Sequence, residues 1–326
     1  MSLDSDVIVD RRRMRRKLTF WRVMATLVAV IAVVGIAVAL TPSARRALTG
    51  SQAIARISID GLIRSDRDRV AALERLEKSS APAVILHINS PGGTTAGSEQ
   101  LYDALMRLKA KKPLVVVVEG LAASGGYIAA LASDHIIAQQ SSLVGSIGVL
   151  FQYPNFTELL KTVGVQVESV KSSPLKAAPN GYEPTSPEAR AALDSLVKDS
   201  YGWFRGLVQS RRGMDEAGLT RVADGRVFTG RQALELKLID QLGDEKTAVA
   251  WLVAQKKIPR ELPVRDFKLS PRLTDLTFLR ATAVVALDAV GVSGLAERLR
   301  RTGVVAAVER LDLDGLLALW LPAGTR

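Results

Sequence analysis

The chain has 326 residues, 48% of them hydrophobic, which is enough for one large domain or two small ones with a sizeable core. It contains no Cys, which excludes disulfides, a thiolate nucleophile and a Cys-ligated metal, and its two histidines exclude a His-rich metal site. The net charge of +11 would suit nucleic acid, but the excess is spread along the chain and no basic patch is interleaved with aromatic residues. We therefore expect no nucleic-acid partner, no metal and no other cofactor.

The N-terminal part is predicted to anchor the chain in a membrane. The 18 uncharged residues from Val23 to Leu40 are just long enough to span a bilayer. Seven basic residues precede this run and only two follow closely, which places the N-terminus in the cytoplasm. We expect a cytoplasmic basic tail at 1–22, a transmembrane signal-anchor at 23–41 and a linker at 42–52. The alternative is a cleaved secretory signal.

This topology predicts a single-pass protein of a bacterial inner membrane, with the rest of the chain on the periplasmic or extracytoplasmic side. The segment 266–326 is predicted to be a helical C-terminal extension, because charge clusters alternate with Leu and Val at helical spacing. Its helices would pack on the domain, form a subunit contact, or lie on the surface of the same membrane.

From residue 53 to residue 265 short β-branched runs alternate with amphipathic segments, which predicts one α/β domain. Strands are predicted at 53–61, 83–89, 114–118, 134–138 and 165–170, and helices at 66–78, 98–109, 127–133, 156–163, 187–211, 232–236 and 245–256. Strand and helix in strict alternation imply right-handed crossovers and a mainly parallel sheet.

Ser124 is predicted to lie where a buried strand turns into a helix. Two glycines follow it, so that a ligand backbone could come close, and a helix N-terminus favours developing negative charge. The position suits a nucleophilic hydroxyl, and an ordinary Ser N-cap is the alternative. His87 and His135 fall within predicted strands, where hydrogen-bonded structural roles are expected, so the base for Ser124 need not be His.

Two other Gly-rich stretches suggest close approach of a second backbone. Residues 90–94, Ser-Pro-Gly-Gly-Thr, are predicted to form a sharp turn with freely orientable amides. Residues 142–149 are an apolar run punctuated by Gly, which is typical of a strand against which an extended substrate packs.

Taken together and in order, several segments resemble the signal peptide peptidase A (SppA) family, the S49 serine peptidases of the ClpP/crotonase-like superfamily. The matching stretches are 87–93, 123–129, 145–149, 171–176 and 225–230. The resemblance covers roughly residues 54 to 262 and implies a repeated β-β-α superhelix. It also implies a ring-shaped homo-oligomer, with remnant signal peptides and other unfolded apolar segments as substrates. The sequence departs from the family pattern at His87, where Arg is common, and after Lys176, where Asp often follows.

By this resemblance Ser124 is the nucleophile of a Ser-Lys dyad and Lys176 its general base, which a neighbouring subunit can supply. Ser146 would orient the lysine, and the backbone amides of Gly93 and Gly125 would form the oxyanion hole. An extended substrate would bind along Ile147, Gly148 and Val149.

The residues around Lys176 favour it as a base independently of the resemblance. Pro174 and Leu175 precede it and no acid lies within six residues on either side, so no adjacent carboxylate holds the amine charged. Lys171 is the competing candidate.

Alternative functions are an NfeD-type membrane protease, an acyl-CoA-processing crotonase relative, and a catalytically inactive ring scaffold.

Overall fold

The computed structural model describes Trp21, Met24, residues 52–269 and the backbone of Leu317–Leu319. The predicted signal-anchor and most of the predicted C-terminal extension lie outside these residues. Among the helices of these described residues, none is both long and apolar enough to cross a membrane. The chain divides into two compact units after Gln52, and the second unit contains all the elements described below.

The second unit alternates strands and helices along the chain. The strands are β1 (Ile54–Ile63), β2 (Val84–Thr94), β3 (Leu114–Ala123), β4 (His135–Ala138), β5 (Leu143–Gly145), β6 (Val227–Thr229), β7 (Gln241–Leu242), β8 (Val264–Asp266) and β9 (Leu317–Leu319). The helices are α1 (Arg67–Glu77), α2 (Thr95–Lys109), α3 (Gly125–Leu131), α4 (Thr157–Thr162), α5 (Pro187–Arg212), α6 (Glu216–Val222), α7 (Gly230–Glu235) and α8 (Glu245–Lys256).

The strands form one mixed sheet in the order β6-β5-β3-β2-β1-β8, with β4, β7 and β9 joining off this path. The pairs β1/β2, β2/β3, β3/β4 and β3/β5 are all parallel, whereas β6 and β9 pair antiparallel to their neighbours. The predicted α/β architecture with a mainly parallel sheet is confirmed. It follows from runs such as Leu114–Val118, which are fully buried because helices cover both faces of a parallel sheet.

Successive side chains of each central strand point to opposite faces of the sheet, which divides the core into two layers. Val84, Leu86 and Ile88 of β2 contribute to the larger cluster, whereas Ile85 packs with Leu252 of α8 in the smaller one. Side-chain caps set where several helices begin. Asp66 accepts a hydrogen bond of 2.9 Å from the Arg69 amide at the start of α1.

Three predicted elements differ from the observed ones. The predicted turn at 90–94 is instead the end of β2, because Gly92 and Gly93 pair with Leu62 and Ile63 of β1. Residues 165–170 form no strand, and Val165, Val167 and Val170 are exposed, since none of the strands that the structure describes pairs with this segment.

The third difference concerns the predicted C-terminal extension. Its helical spacing predicts helices within 266–326, but Leu317–Leu319 form β9, which pairs antiparallel with Gly92–Thr94. The predicted domain boundary at 265 also falls inside β8, whose Asp266 pairs with Arg56 of β1. Leu269 is 7% exposed and packs in the larger cluster, so the domain continues beyond the predicted boundary.

Candidate active site

The site lies where β2 and β3 separate at their carboxyl ends. The last pair that joins these strands is Ser90 with Ala122. Beyond it β2 continues along β1, whereas β3 continues along β5 and pairs Ala123 with Gly145. Diverging strands leave a crevice at the carboxyl edge of a parallel sheet, where ligands of α/β proteins commonly bind.

Ser124 follows β3 directly and has a backbone conformation that favours glycine. Its φ of 54° lies in the left-handed region, with ψ at −117°. The Ser124 amide donates a hydrogen bond of 2.7 Å to the carbonyl of Gly145, which fixes this turn against β5. A left-handed non-glycine residue costs on the order of 1–3 kcal/mol and persists only where the surroundings enforce it.

The Ser124 hydroxyl is buried and has no partner in the described protein. The residue is 1% exposed, and its Oγ makes no hydrogen bond. It occupies the N-cap position of α3 but does not cap the helix, so the N-cap alternative does not explain it. Leaving a buried hydroxyl unpaired costs about 1–3 kcal/mol. Strain and an unpaired polar atom at the same residue are typical of a functional site rather than of a structural one.

Tight backbone packing brings the start of α3 against the end of β2. A Cβ added to Gly126 would lie 2.7 Å from the carbonyl oxygen of Ser90, so only glycine fits there. Ser90 itself is fully buried, and its Oγ donates a hydrogen bond of 2.6 Å to the carbonyl of Gly61. The Gly92 amide donates to the same Oγ at 3.1 Å. Ser90 thus joins the ends of β1 and β2, a role that sequence reasoning missed.

The two predicted oxyanion-hole residues lie on either side of the crevice. Gly125 is the first residue of α3, and amides of the first helical turn have no intrahelical acceptor. Gly93 lies on β2 beside Ile63 of β1. A Cβ at Gly93 would be 1.8 Å from the Ile63 carbonyl oxygen, an overlap that backbone atoms cannot easily relieve.

We expect Gly93→Ala to destabilise the domain by about 3 kcal/mol, because β1 and β2 must separate to admit the methyl group. Gly206→Ala is the control, since Gly206 lies inside α5 and a Cβ there meets nothing within 4 Å. This control should stabilise the protein by about 0.5–1 kcal/mol. Chemical denaturation of both variants measures the difference, and equal stability of Gly93→Ala and the wild type would contradict the close approach.

Ser146 directly follows β5, just as Ser124 directly follows the neighbouring β3. It follows Gly145, which pairs with Ala123, and its own φ of 53° is also left-handed. The Ser146 amide donates a hydrogen bond of 2.8 Å to the carbonyl of Arg226, and the residue is 6% exposed. Two adjacent left-handed serines therefore border the crevice on the β3/β5 side.

The three predicted substrate-binding residues line a cleft of about 590 Å³ that begins at Ser146. Its wall combines the chain after β5 with α5 and the loop before β6. The lining residues include Ile147, Gly148, Val149, Leu150, Val197, Tyr201, Ala223 and Gly225. This largely apolar lining suits an uncharged peptide side chain.

Lys176 is not brought to Ser124 within this chain. It is exposed in a turn, where its amide donates a hydrogen bond of 3.1 Å to the carbonyl of Ser173. Because the Ser124 Oγ has no partner, neither Lys176 nor Ser146 hydrogen-bonds to it in the described chain.

Lys171, the competing base, is already paired. Its Nζ donates to a carboxylate oxygen of Glu183 at 2.6 Å, and this hydrogen bond is the main reason that the pKa of Glu183 is lowered. The Lys171 ammonium is thus engaged by a carboxylate of the same loop, whereas Lys176 is exposed. The pairing therefore favours Lys176 over Lys171.

Both histidines have structural partners away from the crevice. The His87 ring lies between Glu119 at 3.0 Å and Glu245 at 2.8 Å. Hydrogen bonds from Arg56 are the main cause of the lowered pKa of Glu245. His135 stacks on Trp251 with ring centroids 4.7 Å apart. These contacts agree with the structural roles expected for both residues.

The segment that carries Lys176 exposes many large apolar side chains. They occur from residue 150 to residue 182, on and around α4 and in the loops on either side of it. The exposed residues are Leu150, Phe156, Leu159, Val163, Val165, Val167, Val170, Leu175 and Tyr182. Exposed apolar side chains concentrated in one segment mark an interaction surface. We call residues 150–182 the apolar arm.

Comparison with known families and proteins identifies similar chains. The model of "Peptidase family S49" matches residues 106–259, and that of "Clp protease" matches residues 57–142. "Putative protease slr0021" of Synechocystis sp. is 38% identical over 200 residues, which cover 61% of this chain and 72% of the relative.

Two other relatives are matched over a smaller share of their length. "Putative protease MJ0651" of Methanocaldococcus jannaschii is 35% identical over 181 residues, covering 55% of this chain and 58% of the relative. "Putative signal peptide peptidase SppA" of Enterococcus faecium is 33% identical over 183 residues, covering 56% of this chain and 53% of the relative. The chain thus spans a little more than half the length of these two proteins.

Proposed function

Because the chain belongs to peptidase family S49, we propose that it is a membrane-anchored serine endopeptidase with Ser124 as nucleophile and Lys176 as general base. The observation that carries this proposal is the left-handed, buried Ser124, whose hydroxyl has no hydrogen-bond partner in the described chain. Its proposed substrates are remnant signal peptides and other unfolded apolar segments, for which the apolar cleft beside Ser146 is suited.

In the proposed reaction the neutral amine of Lys176 takes the proton from the Ser124 hydroxyl. The Oγ then attacks the carbonyl carbon of the scissile peptide bond, and the amides of Gly93 and Gly125 stabilise the oxyanion. The resulting ammonium of Lys176 protonates the leaving amine, and the peptide C–N bond breaks. Water, activated by the same lysine, releases the acyl group from Ser124 and restores the hydroxyl.

We place Lys176 in the site of a neighbouring subunit. This assignment is supported by the exposure of Lys176, by the unpaired Ser124 Oγ, and by the apolar arm, which a second subunit would cover. Burial against another subunit disfavours the charged ammonium and so favours the neutral amine that the reaction needs. A head-to-tail arrangement of this kind closes into a ring, as proposed here for the homo-oligomer.

The proposed location of the protein follows from its sequence. A retained anchor at 23–41 with a cytoplasmic basic tail would hold the peptidase domain on the extracytoplasmic face of a bacterial inner membrane. Signal peptides remain in that membrane after secreted proteins are processed, so enzyme and substrate would share one compartment.

Labelling with a serine-reactive fluorophosphonate tests the proposed nucleophile. The full-length protein in detergent should take up one label per active site, and mass spectrometry of its peptides should locate the label at Ser124. Heat-denatured protein is the control, because activation of the hydroxyl depends on the folded site. A folded oligomer that takes up no label would instead support the inactive scaffold or the crotonase-like alternative.

A further inference from the structure

The strand β9 lies on the edge of β2 that faces the crevice. Each strand has two edges, and at Gly93 one of them is taken by Ile63 of β1. Leu317–Leu319 pair antiparallel with the other edge, with Ala318 opposite Gly93, Leu319 opposite Gly92 and Leu317 opposite Thr94. This is the edge that β3 leaves after the pair of Ser90 with Ala122. β9 therefore adds to β2 on the side where β3 runs on into Ser124.

An extended peptide substrate needs the same edge. Peptides commonly bind by adding a strand to a free sheet edge, where backbone hydrogen bonds hold them in register. For the carbonyl of a scissile bond to reach both Ser124 and the Gly93 amide, the substrate must run along Gly92–Thr94. The crevice offers one such edge of β2, so β9 and a substrate cannot pair with it together.

The composition of the C-terminal segment also matches the proposed substrates. Residues 315–325 contain no charged side chain, and Leu, Ala and Trp make up most of the stretch around β9. An uncharged, apolar segment at the end of the chain has the chemistry expected of a remnant signal peptide. Ser124, which lies where β3 ends beside this edge, is 1% exposed in the structure in which β9 pairs with β2.

We propose that the C-terminal strand Leu317–Leu319 occupies the substrate's path along Gly92–Thr94 and competes with substrate for access to Ser124. This inference rests on the proposed peptidase function. The competition is intramolecular, so only the fraction of molecules with β9 undocked binds substrate. If β9 is docked about 90% of the time, its release lowers the apparent KM about tenfold and leaves kcat unchanged.

Ala318→Pro in the full-length protein tests this competition. Proline fixes φ at about −65°, far from the extended value of an antiparallel strand, and has no backbone amide, so a three-residue strand with proline at its centre should dissociate from β2. We expect a lower KM for an apolar peptide, an unchanged kcat and faster fluorophosphonate labelling of Ser124. Hydrogen exchange at the amides of Gly92–Thr94 should also become faster. Ala323→Pro is the matched control, because it places the same substitution in the same segment outside β9, and it should behave as the wild type.

A synthetic peptide of residues 312–322 provides a second measurement that does not depend on the folding of the variant. It should inhibit Ala318→Pro competitively, and a scrambled peptide of the same composition should inhibit much less. Unchanged KM and labelling rate in Ala318→Pro, or equal inhibition by both peptides, would overturn the inference. If Ser124 is not labelled in any of these proteins, the proposed function fails instead, and hydrogen exchange still decides whether β9 pairs with β2.

Discussion

Ser124→Ala is expected to abolish peptide cleavage while leaving the domain at least as stable as the wild type. Loss of the nucleophile should reduce kcat by a factor on the order of 10⁴ or more. The Ser124 Oγ has no hydrogen-bond partner in the described chain, so its removal breaks no contact and relieves the cost of a buried hydroxyl. The expected gain in the free energy of unfolding is up to about 1 kcal/mol.

Ser142→Ala is the matched control for this prediction. Ser142 is also buried, at 2% exposed, but its Oγ donates a hydrogen bond of 2.8 Å to the carbonyl of Val118. Its replacement should cost about 1 kcal/mol and leave cleavage intact. Turnover of an internally quenched apolar peptide and chemical denaturation measure both effects. Cleavage by Ser124→Ala at the wild-type rate would exclude Ser124 as the nucleophile.

Lys176→Arg and Lys176→Ala are both expected to be inactive, with kcat reduced roughly 10²- to 10⁴-fold by loss of the general base. Arginine keeps the length and charge of the side chain but stays protonated at any working pH, so it cannot accept the Ser124 proton. Lys171→Ala is the control, because Lys171 is paired with Glu183. Loss of activity in Lys171→Ala alone, with Lys176→Arg active, would identify Lys171 as the base.

Mixing inactive subunits tests whether the lysine comes from a neighbour. Oligomers assembled from equal amounts of Ser124→Ala and Lys176→Ala chains should recover roughly a quarter of the wild-type activity. In a head-to-tail ring, half of the serines are intact and half of these face an intact lysine. If the dyad forms within one chain, no mixed site is complete and activity stays at the level of the separate variants.

Local elements and the candidate nucleophile could be predicted from residues that lie close together along the chain. The apolar run Leu114–Val118 predicted a buried strand, and the glycines after Ser124 predicted a strand-to-helix turn, because both depend on residues close along the chain. The apolar spacing over 66–78 predicted the helix that the structure shows as α1 for the same reason. The motifs were sufficient to predict the family, because the residues proposed for the chemistry of the site lie within short segments of the sequence.

Features that depend on residues far apart in sequence could not be predicted in this way. The end of β2 is a strand rather than a turn because β1 supplies partners for Gly92 and Gly93. The hydroxyl of Ser124 is unpaired because the strands around it diverge, which no local pattern encodes. The same divergence exposes the edge of β2 with which Leu317–Leu319 pairs. These residues lie about 220 positions after Gly92–Thr94 in the sequence. Pairing with so distant a strand overrides the local helical spacing of the C-terminal segment.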